Sequence, residues 1–304
     1  MTKVLFATDG SPQATSSLEF LRRLSLPRPI DVELVSNVFI PLNQGDLTDP
    51  LLRDFRIHQE SAADQFLAAA ETSLAGYADV TARRLLHGDI GHSIVEAAEQ
   101  SDCDLIVMGA TGHSGIGRML LGSVSDYVAT HAPCSVLIGR QPAHQISQED
   151  PMKITIGYND GAGSEQALDE FLKLRWDNAV QISLLGVVAI FQGFSPDLMP
   201  NIIEYRTDQR VAALRHLKQG RERLIAPPSQ LSSDQIACDI VETDHVGNAV
   251  TEHLDAHQSD LVVIGDSHRS RISRMLLGSV SRFVLQHARC SVWIARDKTV
   301  ANEA

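Results

Sequence analysis

Four cysteines in 304 residues (Cys103, Cys134, Cys238 and Cys290) are too few and too scattered for a disulfide framework, and no pair has C-x-x-C spacing. They are expected to be reduced, small, buried side chains. Positive charge is also short. The net charge is −12, with 10 basic against 17 acidic residues in 1–145 and 16 against 21 in the remainder. Neither portion has the basic surplus that phosphate-backbone binding demands, which argues against nucleic acid as a general partner. No apolar run approaches the roughly 20 residues of a membrane span. The chain enters the strand-like KVLFA without a charged-then-apolar leader. The expectation is a cytoplasmic protein with no membrane partner. The composition, 43% hydrophobic and 21% charged, is that of an ordinary globular protein. The length suits two domains, each able to bury its own core.

A long internal repeat supports that division. Residues 119–140 read MLLGSVSDYVATHAPCSVLIGR, and 156 positions later residues 275–296 read MLLGSVSRFVLQHARCSVWIAR, identical at 15 of 22 positions. Upstream, DLIVMGATGH (104–113) meets DLVVIGDSHR (260–269). A period this long excludes a solenoid. The expected domains are 1–140 and 152–297, joined by a polar, proline-flanked linker at 141–151.

Within the first half, strand and helix patterns alternate. Lys3–Thr8 is a short apolar run of the buried parallel type. Asp9-Gly10-Ser11-Pro12 supplies a turn, a cap and a proline suited to a first helical position, and Leu18, Leu21 and Leu24 continue at helical spacing. Val32–Phe39 is a second strand and Pro41–Pro50 a loop. A long helix is expected over about Leu51–Leu74, with Phe55, Ala62, Phe66, Ala69 and Ala70 on its apolar side. Strand Val80–Leu86, helix Ile90–Gln100, strand Leu105–Met108, helix Val124–His131 and strand Ser135–Ile138 complete the half. The second half repeats the order, with strands at Lys153–Gly157, Ile182–Val188, Ile236–Val241, Leu261–Ile264 and Ser291–Ala295. Alternation of this kind implies α/β domains, each a parallel sheet with helices on both faces.

The stretch richest in chemistry runs from Gly109 to Ser123. It leaves the carboxyl end of a buried strand, carries glycine at 109, 112, 115 and 117, and ends in Gly122-Ser123 at a helix start. Unpaired N–H groups and the positive dipole end there favour an anion. A Walker A loop is excluded because no lysine lies in it, and the dinucleotide fingerprint because leucine follows Gly115-x-Gly117 where a third glycine is required. Taken alone, the same residues also fit an N-cap serine and turn glycines.

The spacing Gly109-x2-Gly112-x9-Gly122-Ser123 resembles the ATP-binding signature of the universal stress protein family. Asp9-Gly10-Ser11, Gly88 with Gly91, and His131-Ala-Pro-Cys-Ser-Val-Leu are further family-like elements. The resemblance implies tandem doubly wound domains with strand order 3-2-1-4-5 and a nucleotide outside the carboxyl ends of strands one and four. It implies Asp9 and Val38 on the adenine and ribose side. It also implies Gly109, Gly112, Gly122 and Ser123 around ribose and phosphates, joined by the Val124 amide. The cofactor would be ATP, with any Mg²⁺ held mainly by the phosphates. Asp9 also reads as a turn or helix-cap aspartate; at this position the ligand role is favoured, and the two roles are compatible.

The second half departs from this pattern. Asn159 and Asp160 replace Asp9 and Gly10, and His268, Arg271 and Ser273 replace Gly112, Gly115 and Gly117. Where a lost glycine held a positive φ, its replacement costs about 1–2 kcal/mol. His268 lacks an i+4 histidine and reads as a surface residue, while Arg269, Arg271 and Arg274 read as a solvated basic face. The expected function is therefore a nucleotide-binding regulatory module with one nucleotide in the N-terminal domain. Two alternatives remain: a slow ATP hydrolase or self-phosphorylating protein, and a nucleotide-free interaction module. The loop offers Arg118 and no carboxylate, which leans away from rapid phosphoryl transfer. The fifth strands are apolar and uncharged, so each invites pairing as a sheet edge. With the family resemblance, this implies a pseudo-dimer of the two halves that buries Trp293 against the Leu137 side. A homodimer of whole chains is a further possibility.

Overall fold

The structure is a computed structural model, and it describes residues 2–24, 26–38, 50–112, 121–141, 150–159, 161–174, 176, 180–190, 199–266 and 277–298. The chain divides into two compact units, residues 1–141 with 297–304, and residues 142–296.

In the first unit the order is β1 (Thr2–Ala7), α1 (Pro12–Arg23), β2 (Ile30–Val38), α2 (Pro50–Leu74), β3 (Asp79–His87), α3 (Ile90–Ser101), β4 (Leu105–Gly109), α4 (Ser123–His131) and β5 (Ser135–Gly139). The strands lie in the order β3-β2-β1-β4-β5, and every pairing among them is parallel. β1 and β4 are central, and Val4, Leu5, Phe6, Ile106 and Val107 are buried completely or nearly so. Helices α1 and α2 contact each other and the sheet, as do α3 and α4, so both faces are covered. The chain leaves β1 toward β2 and later returns to β4 on its other side. That reversal opens a crevice at the strands' carboxyl ends.

The second unit has β6 (Met152–Gly157), α5 (Ala162–Leu172), β7 (Val180–Ala189), α6 (Met199–Ile225), a 3₁₀ turn (Ser233–Gln235), β8 (Ile236–Thr243), α7 (Val246–Ala256), β9 (Leu261–Gly265), α8 (Ser279–His287) and β10 (Ser291–Ala295). Its strand order is β8-β7-β6-β9-β10, again all parallel. The repetition extends to single bonds. Asp104 Oδ2 accepts from Lys3 N at 2.8 Å, and Asp260 Oδ2 accepts from Lys153 N at 2.8 Å.

Several expectations change. The buried side of α2 is Ala63, Leu67, Ala70 and Leu74, spaced 4-3-4, whereas Phe55 is 41% exposed and Ala69 is exposed. Ala69 stands two residues beyond Leu67, about 200° around the helix, and so points away from the sheet. Ala62 and Phe66 flank the buried stripe and are half-buried. Cys103, Cys134 and Cys290 are buried as expected, but Cys238 is exposed. It lies on β8, the outermost strand in its unit's order, where less of the chain covers it. Cys103 and Cys134 bring their thiols to 3.5 Å. Phe39, the loop at 41–49 and most of the linker, 142–149, lie outside the described residues. Among the described residues, no helix is long and apolar enough to cross a membrane.

Candidate functional site

The crevice of the first unit begins at the turn after β1. The Ser11 amide donates to Asp9 Oδ1 at 3.0 Å, and Ser11 Oγ accepts from Ala14 N at 3.2 Å as the N-cap of α1. Pro12 takes the first helical position, where no N–H is needed. Gly10 turns the chain at φ +74, with the Phe66 ring lying where its Cβ would be.

Across the crevice, Gly112 faces the Asp9 carboxylate directly. A Cβ at Gly112 would lie 2.4 Å from Asp9 Oδ2, so the carboxylate fills the space that a side chain would need. Asp9 and Gly112 are thus brought together from 103 residues apart in sequence.

Gly122, Ser123 and Val124 open α4 beside the chain that leaves β4. Gly122 is the N-cap of α4 at φ −70 and makes no side-chain cap bond. Its own amide donates to Ala110 O at 2.8 Å. The amides at this helix start with no acceptor within the helix are therefore those of Ser123, Val124 and Ser125. Ser123 is exposed, whereas Ser125 is buried and its Oγ bonds Gly109 O at 2.9 Å and Ala110 O at 3.0 Å. Ser125, absent from the residues expected for the site, is the joint that fixes the helix start to β4. Its signal in the sequence was the repeated Gly-Ser-Val-Ser.

Gly109 packs closely against the start of α1. A Cβ there would stand 3.0 Å from Ala14 N and 3.1 Å from Gln13, in the first turn of α1. Its counterpart Gly265 is tighter still, with Gly163 O only 1.6 Å from the Cβ position. Both glycines let a helix start press on the end of a central strand, which is a packing need. Val38 closes β2, is 1% exposed, and lies beyond the last β1–β2 pair, Ala7 with Val35. The loop from residue 113 to 120 lies outside the described residues, Gly115, Gly117 and Arg118 with it.

The second unit keeps the same scaffold. Asn159 Oδ1 accepts from Gly161 N at 2.7 Å and Ser164 Oγ at 2.8 Å, reproducing the turn of Asp9 without its charge. Ser281 Oγ bonds Gly265 O at 2.9 Å, as Ser125 bonds Gly109 O. A cleft of about 320 Å³ is lined by Asn159, Ser164, Val187, Val250, Gly278 and Ser279, among others. That volume lies at the lower end of small-molecule sites. Tyr158 borders it, its hydroxyl donating to Glu165 Oε1 at 2.5 Å. Burial, then Glu165, pushes the phenol up to about 12. Where the first unit has Ala110, the second has buried Asp266, paired with Arg296 Nε at 2.7 Å. Residues 267–276, which include His268, Arg269, Arg271, Ser273 and Arg274, lie outside the described residues.

Comparison with known proteins agrees with this architecture. The model of the universal stress protein family matches residues 1–140 and again 152–296. Universal stress protein Mb2019 of Mycobacterium bovis is 27% identical over 318 residues, covering 96% of this chain and 94% of its own length. Universal stress protein MJ0531 of Methanocaldococcus jannaschii is 48% identical over 58 residues, 19% of this chain and 34% of that protein. A universal stress protein from Archaeoglobus fulgidus superposes with a TM-score of 0.61 at 19% identity, covering 97% of this chain and 96% of that one, and shares its fold. The chain belongs to the universal stress protein family, in two tandem copies.

Proposed function

We propose that this tandem universal stress protein is a regulatory, nucleotide-binding module of the cytoplasm that holds one adenine nucleotide, ATP, in its N-terminal unit. The observation that carries the reading is the meeting of Asp9, Gly112 and the start of α4 at the carboxyl ends of β1 and β4. A carboxylate suited to sugar hydroxyls faces a position with no Cβ, and the first amides of a helix stand nearby for phosphate. Asp9 and Val38 take the adenine and ribose side. Gly112, Ser123 and Val124 take ribose and phosphates, and Gly109 and Gly122 keep the backbone close. Any Mg²⁺ is held mainly by the phosphates.

The second unit has the cleft but a neutral Asn159 for Asp9, and Asp266 with a paired arginine where Ala110 stands. The linker at 141–151 then joins an intact site to an altered one. Calorimetric titration with ATP is expected to give one site per chain, abolished by Gly122→Val and almost unchanged by Gly278→Val. Two equivalent sites would overturn the reading. Nucleotide released from purified protein by heat and identified by chromatography tests the ligand itself. Steady-state turnover is expected far below the roughly 1–1000 per second of typical enzymes. A rate inside that range, lost on Ser123→Ala, would make the chain an enzyme.

For assembly, we propose that the two halves pair through β5 and β10 as a pseudo-dimer, their apolar strands serving as the edges. Arginine at both Leu137 and Trp293 is expected to open the linker to protease. A double variant as protease-resistant as wild type would refute that pairing.

A further inference from the structure

Away from the cleft, α7 of the second unit lies over β7 and β8 and brings a group of donor atoms together. His253 and His257 are one helical turn apart, and their rings stack with centroids 3.8 Å apart. His253 is buried, and its Nε2 lies 2.9 Å from Ser183 Oγ on β7. Ser183 in turn donates to Asp239 Oδ2 on β8 at 2.8 Å. Asp239 Oδ2 stands 3.9 Å from His253 Nε2 and 4.0 Å from His257 Nε2. All three donor atoms fall within 4.8 Å of one another.

We propose that Asp239, His253 and His257 form a binding site for a divalent transition cation of the zinc class, with Ser183 as a positioning residue. Two imidazoles and one carboxylate are the donor set that such ions take, with open positions left for water. His257 Nδ1 lies 3.0 Å from His253 O. A carbonyl only accepts, so Nδ1 carries the proton and Nε2 presents its lone pair. Tetrahedral ligands at about 2.1 Å from zinc stand roughly 3.4 Å apart, so Asp239 must close on each histidine by about half an ångström, and the two imidazoles, within 4.8 Å of each other, by no more than about 1.4 Å. His257 and Asp239 can move to do so, with side chains 47% and 35% exposed, and the ion enters between them from solvent. Ser183 has one proton, which it gives to Asp239, so in the ion-free state its oxygen accepts from His253 Nε2–H. On binding, that imidazole proton exchanges to Nδ1 and Nε2 turns to the metal. Ser183 then holds the carboxylate in place, an outer-shell role.

The first unit provides an internal contrast. Register pairs Leu185 with Asp239 and Val35 with Arg84, so Arg84 stands at the place of Asp239. Glu33 stands at the place of Ser183, and the helix repeat sets Ala97 and Ser101 at the places of the two histidines. There Arg84 Nη1 pairs with Glu33 Oε1 at 2.8 Å, a self-neutralised ion pair, and Ala97 and Ser101 supply no imidazole to it. The second unit has replaced that pair with three metal-ligating groups.

The test is titration of the full, chelator-stripped chain with Zn²⁺ by calorimetry, and with Co²⁺ for its visible absorption. One Co²⁺ per chain is expected to develop the intense bands of a low-coordinate site. His257→Ala and Asp239→Asn are each expected to weaken binding by at least about tenfold, the loss that even an outer-shell partner produces. Ser183→Ala should weaken it less, and Gly122→Val should leave it unchanged. Because the His257 side chain is 47% exposed at the end of α7, its truncation is expected to spare the fold, which unchanged circular dichroism verifies. Wild-type affinity in both ligand variants would overturn the proposal. So would a wild-type spectrum that stays that of hydrated Co²⁺ at millimolar metal.

Discussion

Gly112→Ala isolates the contact on which nucleotide binding is proposed to turn. The added Cβ would stand 2.4 Å from Asp9 Oδ2. The shortest comfortable carbon–oxygen contact is roughly 3.3 Å, so the carboxylate must retreat by about 1 Å. It cannot do so freely, because Asp9 Oδ1 holds the Ser11 amide at 3.0 Å. A hydrogen bond to a charged group contributes about 1.5–3 kcal/mol, and either that bond or the carboxylate's aim at the ligand is lost. At about 1.4 kcal/mol per tenfold, ATP affinity should fall roughly 10- to 100-fold. Gly112 is not among the glycines at positive φ, so alanine brings no backbone strain, and the ligand-free protein should unfold within a few degrees of wild type.

Calorimetric titration with ATP, run beside thermal unfolding without it, measures both quantities. Asp9→Asn is the companion variant. It keeps the turn, as Asn159 does in the second unit with Gly161 N at 2.7 Å, and removes only the charge. Affinity of Gly112→Ala within about twofold of wild type would refute the reasoning, since a shift of that size is under 0.5 kcal/mol and leaves no room for a displaced carboxylate.

Two further predictions bear on the scaffold. Gly265→Ala puts a methyl 1.6 Å from Gly163 O and should cost about 1–3 kcal/mol or more as overpacking against backbone, whereas Gly109→Ala, at 3.0 Å, should cost less; urea unfolding of both variants ranks them, and equal midpoints would show that the glycines are not packing residues. Tyr77 and Tyr158 are each pushed from 10.0 to about 12, chiefly by burial, so the fold favours the neutral phenol; that stability is present below pH 10 and is lost as pH rises through 12. In an alkaline titration of phenolate absorbance, Tyr77→Phe and Tyr158→Phe should each remove one step near 12, and variant curves that lose amplitude near 10 instead would contradict it.

The element order and the parallel architecture were legible because both halves repeat the same alternation, and central strands such as Leu105–Gly109 are buried on both faces. The face of α2 was not, because alanines fill positions on every side of that helix and only the sheet beneath decides which are covered. Cys238 was misjudged for a similar reason: exposure follows strand order, a property of pairing and not of local sequence. The packing of Gly109 against α1 was not legible, because a glycine at a strand end looks the same whether a phosphate or a helix approaches it. The group around His253 escaped because Ser183 and Asp239 come from different strands, brought together by the β7–β8 pairing. Its one sequence signal was the i, i+4 spacing of His253 and His257.

The two halves, set side by side, divide the site's residues by what holds them in place. Gly109 with Gly265 and Ser125 with Ser281 recur because each makes the same backbone contact in its own unit, tying a helix start to the end of a central strand. The exposed amides at Ser123 and Ser279 come with that joint. An anion-friendly helix start is therefore something the fold supplies in both units, and it cannot by itself select a ligand. Selection has to come from what sits opposite, and there the units differ: a charged Asp9 against Gly112 in one, a neutral Asn159 in the other. The charge at position 9 is thus the feature to alter if the aim is to change what binds without changing what folds. Exchanging it between the halves, Asp9→Asn with Asn159→Asp, asks whether that one group is sufficient.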